Sequence, residues 1–251
     1  MNTTNKILSV KHLSKIYNTL EGETNCLSDI SFEVNEGDFI TIIGPSGCGK
    51  STILNIIAGL ENKYQGNVNF TSNCEIGYMI QEHSLFDWLT VEENALLGLK
   101  IKKQLTKENI NYVINLLKKY NLYDFKNSYP KNLSGGMKQR LALIRTLAFK
   151  PRILLLDEPF SALDYQSRLS VSDDVYKIIK NENKTAIMVS HDIAESISMS
   201  NKIIVLSKRP ATIKNIHNIN LSINKGPIEN RKAKEFSTYY DQLWKEIDKN
   251  V

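Results

Sequence analysis

The chain has 251 residues, 41% hydrophobic and 24% charged, a composition of ordinary globular proteins that excludes a disordered chain. Its 32 basic and 27 acidic residues leave a formal net charge of +5, with lysines scattered singly among asparagines, a mild lean toward anionic partners that a solvated surface also shows. The longest aliphatic runs, Ile153 to Leu156 and Ile203 to Leu206, are far below the roughly 18 apolar residues of a membrane span, and Met1 to Lys6 lack the features of a secretory signal, so a cytosolic chain is expected.

In chain order, Leu27 to Val34 alternates Ile30, Phe32 and Val34 on one face before the turn residues Asn35 to Asp38, which predicts an early antiparallel layer. Phe39 to Ile43 is short, β-branched and apolar, the pattern of a strand buried on both faces. From Lys50 to Leu60 the residues Ile53, Ile56, Ile57 and Leu60 fall at helical spacing, with Gly59 as terminator. Residues 85–150 read as mostly helical; between Lys107 and Tyr120, Ile110, Val113, Ile114 and Leu117 share one face. Three further buried strands, Ile153 to Leu156, Ala186 to Val189 and Ile203 to Leu206, alternate with helical patterns in the rhythm of a parallel α/β sheet. The segment after Pro210 is polar, with a weak helical signal over Phe236 to Ile247. Cys26, Cys48 and Cys74 are an odd set without metal-ligand spacing and read as free thiols.

The chemistry is concentrated in three places. Gly44-Pro45-Ser46-Gly47-Cys48-Gly49-Lys50-Ser51 is a phosphate-loop pattern between a predicted strand and a predicted helix, so backbone N–H groups can curl around phosphate oxygens at a helix N-terminus. Lys50 can reach β- and γ-phosphates, and the Ser51 hydroxyl can ligate Mg²⁺. The apolar strand 153–156 runs into Asp157 and Glu158; because a strand alternates its faces, one carboxylate can hold Mg²⁺, through water, and the other polarise an attacking water. Finally, Leu133-Ser134-Gly135-Gly136-Met137-Lys138-Gln139-Arg140 opens a helix with a serine cap and two glycines, a second anion-binding terminus or simply a capped helix.

This last run resembles the signature motif of ATP-binding cassette (ABC) ATPases, and the other stations follow in that family's order. Tyr17 resembles the aromatic that stacks on adenine, with an ordinary strand tyrosine as the alternative. The ATP-binding segment is Gly44 to Ser51 with Thr52. Gln81 resembles the Q-loop glutamine, Ser161-Ala162-Leu163-Asp164 the D-loop, and His191 the switch histidine that contacts the γ-phosphate. His12, His83 and His217 match no such station and read as surface or loop residues. Cys48 fills a variable loop position as a small residue without redox work. The resemblance implies catalytic roles for Glu158 as the group activating water, His191 and Gln81; Mg²⁺ held by Ser51, Gln81 and Asp157; and Ser134, Gly135, Gly136 and Gln139 meeting ATP in trans across a homodimer.

The implied fold is α/β, a P-loop NTPase-type parallel sheet core with an N-terminal antiparallel β layer and an inserted helical subdomain. The expected organisation is one ABC ATPase domain over 6–226, with a catalytic core of about 6–84 and 151–226 and a helical subdomain of about 85–150, followed by a helical tail over 227–251. A P-loop kinase lacks the signature, D-loop and Q-loop set. Soluble ABC proteins acting on ribosomes or DNA resemble paired cassettes or a cassette split by a long coiled coil, and neither is present, so no nucleic-acid partner is expected.

A transporter ATPase remains, working on the cytoplasmic face of the cell membrane with two permease subunits. Leu85-Phe86-Asp87-Trp88-Leu89-Thr90-Val91 is an apolar and aromatic stretch that needs either a partner surface or a core. Trp88-Leu89-Thr90-Val91 with Asn94, together with Leu206-Ser207-Lys208-Arg209-Pro210, is similar to the nitrate, sulfonate and taurine group of importers, which implies an external solute-binding protein and a small organic anion as cargo; thiamine precursors, polyamines, phosphonates or amino acids are the alternatives.

Overall fold

The computed structural model describes residues 5–19, 22–71, 74–80 and 84–248. In chain order it runs β1 (Lys6–Thr19), β2 (Gly22–Asn35), β3 (Phe39–Ile43), α1 (Lys50–Ile57), β4 (Gln65–Phe70), β5 (Ile76–Met79), α2 (Val91–Ile101), α3 (Lys107–Lys119), α4 (Gly135–Leu147), β6 (Ile153–Asp157), α5 (Tyr165–Asn181), β7 (Thr185–Val189), α6 (Ile193–Met199), β8 (Lys202–Leu206), β9 (Ile213–Asn218), α7 (Pro227–Asn230) and α8 (Phe236–Asp248). The chain divides into two compact units, one formed by the residues up to Cys74 together with those from Thr185 onward, the other by Glu75–Lys184.

In the first unit β2, β1 and β4 make an antiparallel layer in which Val10 faces Phe32 on one side and Val68 on the other. Ile30, Phe32 and Val34 are all buried, as their alternation requires. Beside this layer, β3 lies parallel between β7 and β8, with Ile40 opposite Ile187 and Lys202. All five residues of β3 are buried, which explains its unbroken apolar run. The strand entrances are tied by Asp38, whose carboxylate accepts from Asn35 N at 2.9 Å and Asn201 Nδ2 at 2.8 Å, while Asn201 Oδ1 accepts from Phe39 N at 2.6 Å. The C-terminal segment is docked here: Leu243 of α8 is fully buried in a cluster with Ile43, Ile193, Ile203 and Val205.

In the second unit β5 and β6 pair in parallel, Ile76 opposite Ile153. The helix over 107–119 buries Val113, Leu116 and Leu117. Glu182, just beyond α5, accepts from Lys119 Nζ and Tyr120 Oη, both at 2.7 Å, and so fastens the end of α3 to the end of α5.

Two sequence expectations are corrected. The first helix stops at Ile57 rather than Leu60: Gly59 takes a left-handed φ of 73°, and Leu60 is left 69% exposed outside the helix. The segment after Pro210 contains a strand, β9, paired antiparallel with β8 through Leu206 and Ile213. Its sequence, Ile213-Lys-Asn-Ile-His-Asn, lacks the apolar alternation by which strands are recognised.

Candidate functional site

The first unit carries the phosphate loop. β3 delivers the chain to Gly44, and α1 begins immediately after Gly49 without any side-chain cap, so its first N–H groups are left to the loop and to whatever anion it holds. Gly49 is required twice: its φ is 120°, and a Cβ there would lie 2.8 Å from Leu27 Cδ2 and 2.9 Å from Cys26 Sγ. Lys50 is only 6% exposed, and its ammonium lies over the loop, donating to the Gly44 and Pro45 carbonyls at 3.0 Å each. Cys48 is buried and burial pushes its thiol up, consistent with a space-filling residue.

Tyr17 and His191 belong to the same unit. The Tyr17 hydroxyl is 3.5 Å from Thr52 Oγ1 on α1, and Lys15 Nζ sits 4.4 Å from the centroid of its ring. Lys15 is itself buried and held by Glu61 at 3.0 Å and the Lys63 carbonyl at 2.7 Å. His191 is exposed between the end of β7 and Asp192, which caps α6 by accepting from Glu195 N at 2.9 Å. Ser190 Oγ bonds Glu195 Oε2 at 2.5 Å and bonds the Asp192 N–H at 3.1 Å, fixing the turn that carries His191.

The second unit carries the carboxylates and the signature segment. Asp157 ends β6, is 8% exposed, and lies 3.4 Å from the Tyr78 hydroxyl on β5. Burial, then the Asp157 charge, pushes the Tyr78 phenol up, so Tyr78 stays a protonated donor toward the carboxylate. Glu158 leaves the strand through a left-handed backbone at φ 44°, and its carbonyl accepts from Ser161 N at 3.2 Å and Ser161 Oγ at 3.0 Å. A side chain larger than glycine at positive φ is costly, and the two Ser161 bonds help hold Glu158 in this turn out of the strand direction. In the same loop Asp164 caps α5, its carboxylate accepting from Ser167 N at 3.0 Å. Ser134 caps α4 by accepting from Met137 N at 3.3 Å, and a Cβ on Gly135 would come within 2.9 Å of Leu163 Cδ2, so the signature and D-loop segments touch.

Gln139 departs from its expected place. It is fully buried, and its amide donates to the Pro159 carbonyl at 2.5 Å, so the side chain braces the turn after Glu158 from within instead of facing a nucleotide. Gln81 and His83 lie outside the described residues. His12 is exposed beside Asp29 at 2.8 Å, whereas His217 is half-buried and pairs with Glu246 of α8 at 3.1 Å, a structural link rather than a loop position.

The sequence singled out Asn94 and residues 85–91 without showing what they do in the fold. Asn94 is fully buried on α2: its Nδ2 donates to the carbonyls of Phe86, Leu89 and Thr90 at 2.9 to 3.0 Å, and its Oδ1 accepts from Phe86 N at 2.9 Å. The loop thus held presents Trp88, 72% exposed, edge-on to Phe86 at 5.0 Å between ring centroids. Phe86 also lines a groove of about 250 Å³ with Tyr78, Leu97, Gly98, Ile101 and Arg145. Gly98 lets the Phe149 ring pack directly against α2 in the lining of that groove, since a Cβ there would lie 2.0 Å from Phe149 Cζ.

Ser51 in the first unit and Asp157 in the second each carry an oxygen donor of the kind a hard cation such as Mg²⁺ takes. Among the described residues no group of three or more His, Cys, Asp or Glu could hold a metal ion.

Residues 27–161 match the family described as ABC transporter. The chain is 44% identical over 248 residues to the uncharacterized ABC transporter ATP-binding protein YtlC of Bacillus subtilis (strain 168), covering 96% of this chain and 95% of that protein. It is 40% identical over 221 residues to the aliphatic sulfonates import ATP-binding protein SsuB of Bacillus thuringiensis subsp. konkukian (strain 97-27), covering 86% and 87%. Its fold is similar, at a TM-score of 0.72 and 30% identity over 85% of this chain and 99% of the other, to the ATP-binding cassette MJ0796 in a dimeric post-hydrolysis state bound to ADP and Pi. The phosphate loop, the carboxylate-tipped strand and these likenesses together place the chain in the ABC transporter family, as one of its ATP-binding ATPases.

Proposed function

We propose that this chain energises an importer as its ATP-hydrolysing subunit, binding Mg-ATP on Gly44 to Thr52 and using Glu158 to activate water. The observation that carries the catalytic part is the end of β6, where the carboxylate of a buried Asp157 meets the Tyr78 hydroxyl and the left-handed backbone of Glu158 is held through its carbonyl by Ser161. Two neighbouring carboxylates on differently oriented backbone suit two jobs. Asp157, with Ser51 and Gln81, is the proposed Mg²⁺ set; bound Mg²⁺ neutralises charge on the phosphate oxygens. Lys50 and the loop N–H groups bind the phosphates, Tyr17 supports the adenine, and His191 holds the γ-phosphate. Ser134, Gly135 and Gly136 of a second copy complete the site in a homodimer, a reading supported by the exposed serine-capped start of α4 and by the dimeric relative.

Lys50→Ala should lose tight ATP binding, whereas Glu158→Gln should keep it and stop turnover, because removing a water-polarising carboxylate spares the ground-state contacts. Steady-state ATPase assays and size-exclusion chromatography with ATP decide between outcomes. A Glu158→Gln protein hydrolysing at the wild-type rate overturns the assignment of the base.

The transport part rests on the exposed Phe86 and Trp88 pair and on the import names carried by relatives at about 40% identity. Among the described residues no helix is long and apolar enough to cross a membrane. In this reading the chain is a peripheral subunit beneath two separate permease subunits, with an external binding protein selecting an aliphatic sulfonate or similar organic anion. Calorimetry on that binding protein tests the cargo: no heat with any alkanesulfonate withdraws it and leaves the ATPase reading standing.

A further inference from the structure

The segment Leu206-Ser207-Lys208-Arg209-Pro210 has no part in the roles described above, yet the structure wraps it against the phosphate loop within the same unit. Three contacts do this. A Cβ on Gly44 would lie 3.0 Å from Leu206 Cβ, so the start of the loop abuts the end of β8. Ala211 then bonds across β2, its N–H donating to the Cys26 carbonyl and its carbonyl accepting from Ser28 N, both at 2.9 Å. Cys26 and Leu27, the residues so gripped, are those that lie beneath Gly49. Between these two anchors the Arg209 side chain crosses to the lip of the loop, where its Nη2 donates to the Gly47 carbonyl.

A loop that binds an anion through N–H groups must keep its carbonyl oxygens turned away from it. Here two cations take three of those oxygens. Lys50 holds Gly44 and Pro45, and Arg209 holds Gly47. In a trans peptide the carbonyl and the next N–H point in opposite directions. Holding the Gly47 oxygen therefore also sets the direction of the Cys48 N–H, which donates to the Pro45 carbonyl at 3.3 Å and closes the turn of the loop. Gly47 gains from such support, since a glycine at φ 70° has many alternative conformations to lose.

We propose that Arg209 is a positioning residue for nucleotide binding: from outside the loop it braces the Gly47–Cys48 peptide, and with it the turn closed between the Cys48 N–H and the Pro45 carbonyl, so that the loop keeps its shape for phosphate. The inference rests on the phosphate-loop reading. Arg209 is exposed and makes no core contact, so Arg209→Ala should fold with an unchanged melting temperature in the absence of nucleotide. Its affinity for Mg-ATP and Mg-ADP, measured by calorimetry, should fall about three- to ten-fold, the size expected for loss of one exposed charge-assisted hydrogen bond and the order it provides. In steady state KM should rise with kcat nearly unchanged, a split that a general loss of structure would not give.

Lys208→Ala is the control for charge alone, because Lys208 is the exposed neighbour of Arg209 in sequence and makes no bond to the loop among the described residues. It should leave affinity within two-fold of wild type by the same measure. Unchanged affinity in Arg209→Ala, an equal loss in Lys208→Ala, or a fall confined to kcat each overturns the proposal. If Lys50→Ala also leaves affinity unchanged, the phosphate-loop reading itself fails; if Lys50→Ala weakens binding and Arg209→Ala does not, only the role of Arg209 is lost.

Discussion

At the scale of single residues, the site is built on backbone conformations that only certain side chains tolerate, and Gly49 is the clearest case. A methyl group there meets Leu27 and Cys26 and must also accept φ 120°. Gly49→Ala should destabilise the protein by about 1–3 kcal/mol and abolish the ATP-induced rise in melting temperature, because α1 can no longer start where the loop needs it. Calorimetric melting with and without Mg-ATP checks both effects, and an Ala variant that keeps the full nucleotide shift contradicts them. The glycine was legible from the motif alone, as were Asp157 and Glu158, because phosphate chemistry restricts which residues can stand there. The left-handed φ of Glu158 was not legible, since it depends on the Ser161 bonds formed after the chain turns. The burial of Gln139 could have been found: on α4 it precedes Ala142, Leu143 and Thr146 by three, four and seven residues, the spacing of an inward face.

At the scale of elements, the strands with continuous apolar runs were readable and those with mixed sequences were not. β3, β6, β7 and β8 are buried nearly throughout and so carry their own signal, whereas β4 and β9 are held mainly by backbone pairing to β1 and β8. The junction of α3 and α5 was equally hidden, because it hangs on one polar residue. Burial opposes ionisation of Glu182, but hydrogen bonds from Lys119 and Tyr120 outweigh it and hold the carboxyl below its ordinary value. Burial and the same carboxylate push the Tyr112 phenol up to about 12, so the tyrosines remain donors. A carboxyl whose pKa is lower in the folded state stabilises the fold fully above its unfolded value and ceases to do so as pH falls through its folded value. Glu182→Gln should therefore melt below wild type at neutral pH, with the gap closing as the pH is lowered through the acid range. A gap that is constant across the titration, followed by circular dichroism, would falsify the charged role of Glu182.

At the scale of the whole molecule, what the chain does next depends on a surface that the ATPase chemistry leaves unused. A buried asparagine with four hydrogen bonds is a costly way to shape a loop unless the shape itself matters, and Asn94 shapes one that displays Trp88 and Phe86 beside an open groove. The sequence left open whether residues 85–91 entered a core or met a partner; Trp88 at 72% exposure places it outside any core within this chain. Large aromatic side chains in solvent are poor for solubility and good as binding anchors. If the partner is a permease, Trp88→Ala should leave ATP affinity and melting temperature near wild type, because a half-solvated indole contributes little to folding. Recovery of the permease with the tagged chain from detergent-solubilised membranes should fall about ten-fold or more, the loss expected when an interface anchor worth about 2 kcal/mol is removed. Asn94→Ala should lose the permease too while also lowering the melting temperature, since it removes a buried network rather than a contact. Undiminished recovery with Trp88→Ala would mean that the membrane partner docks elsewhere and that this loop serves another purpose.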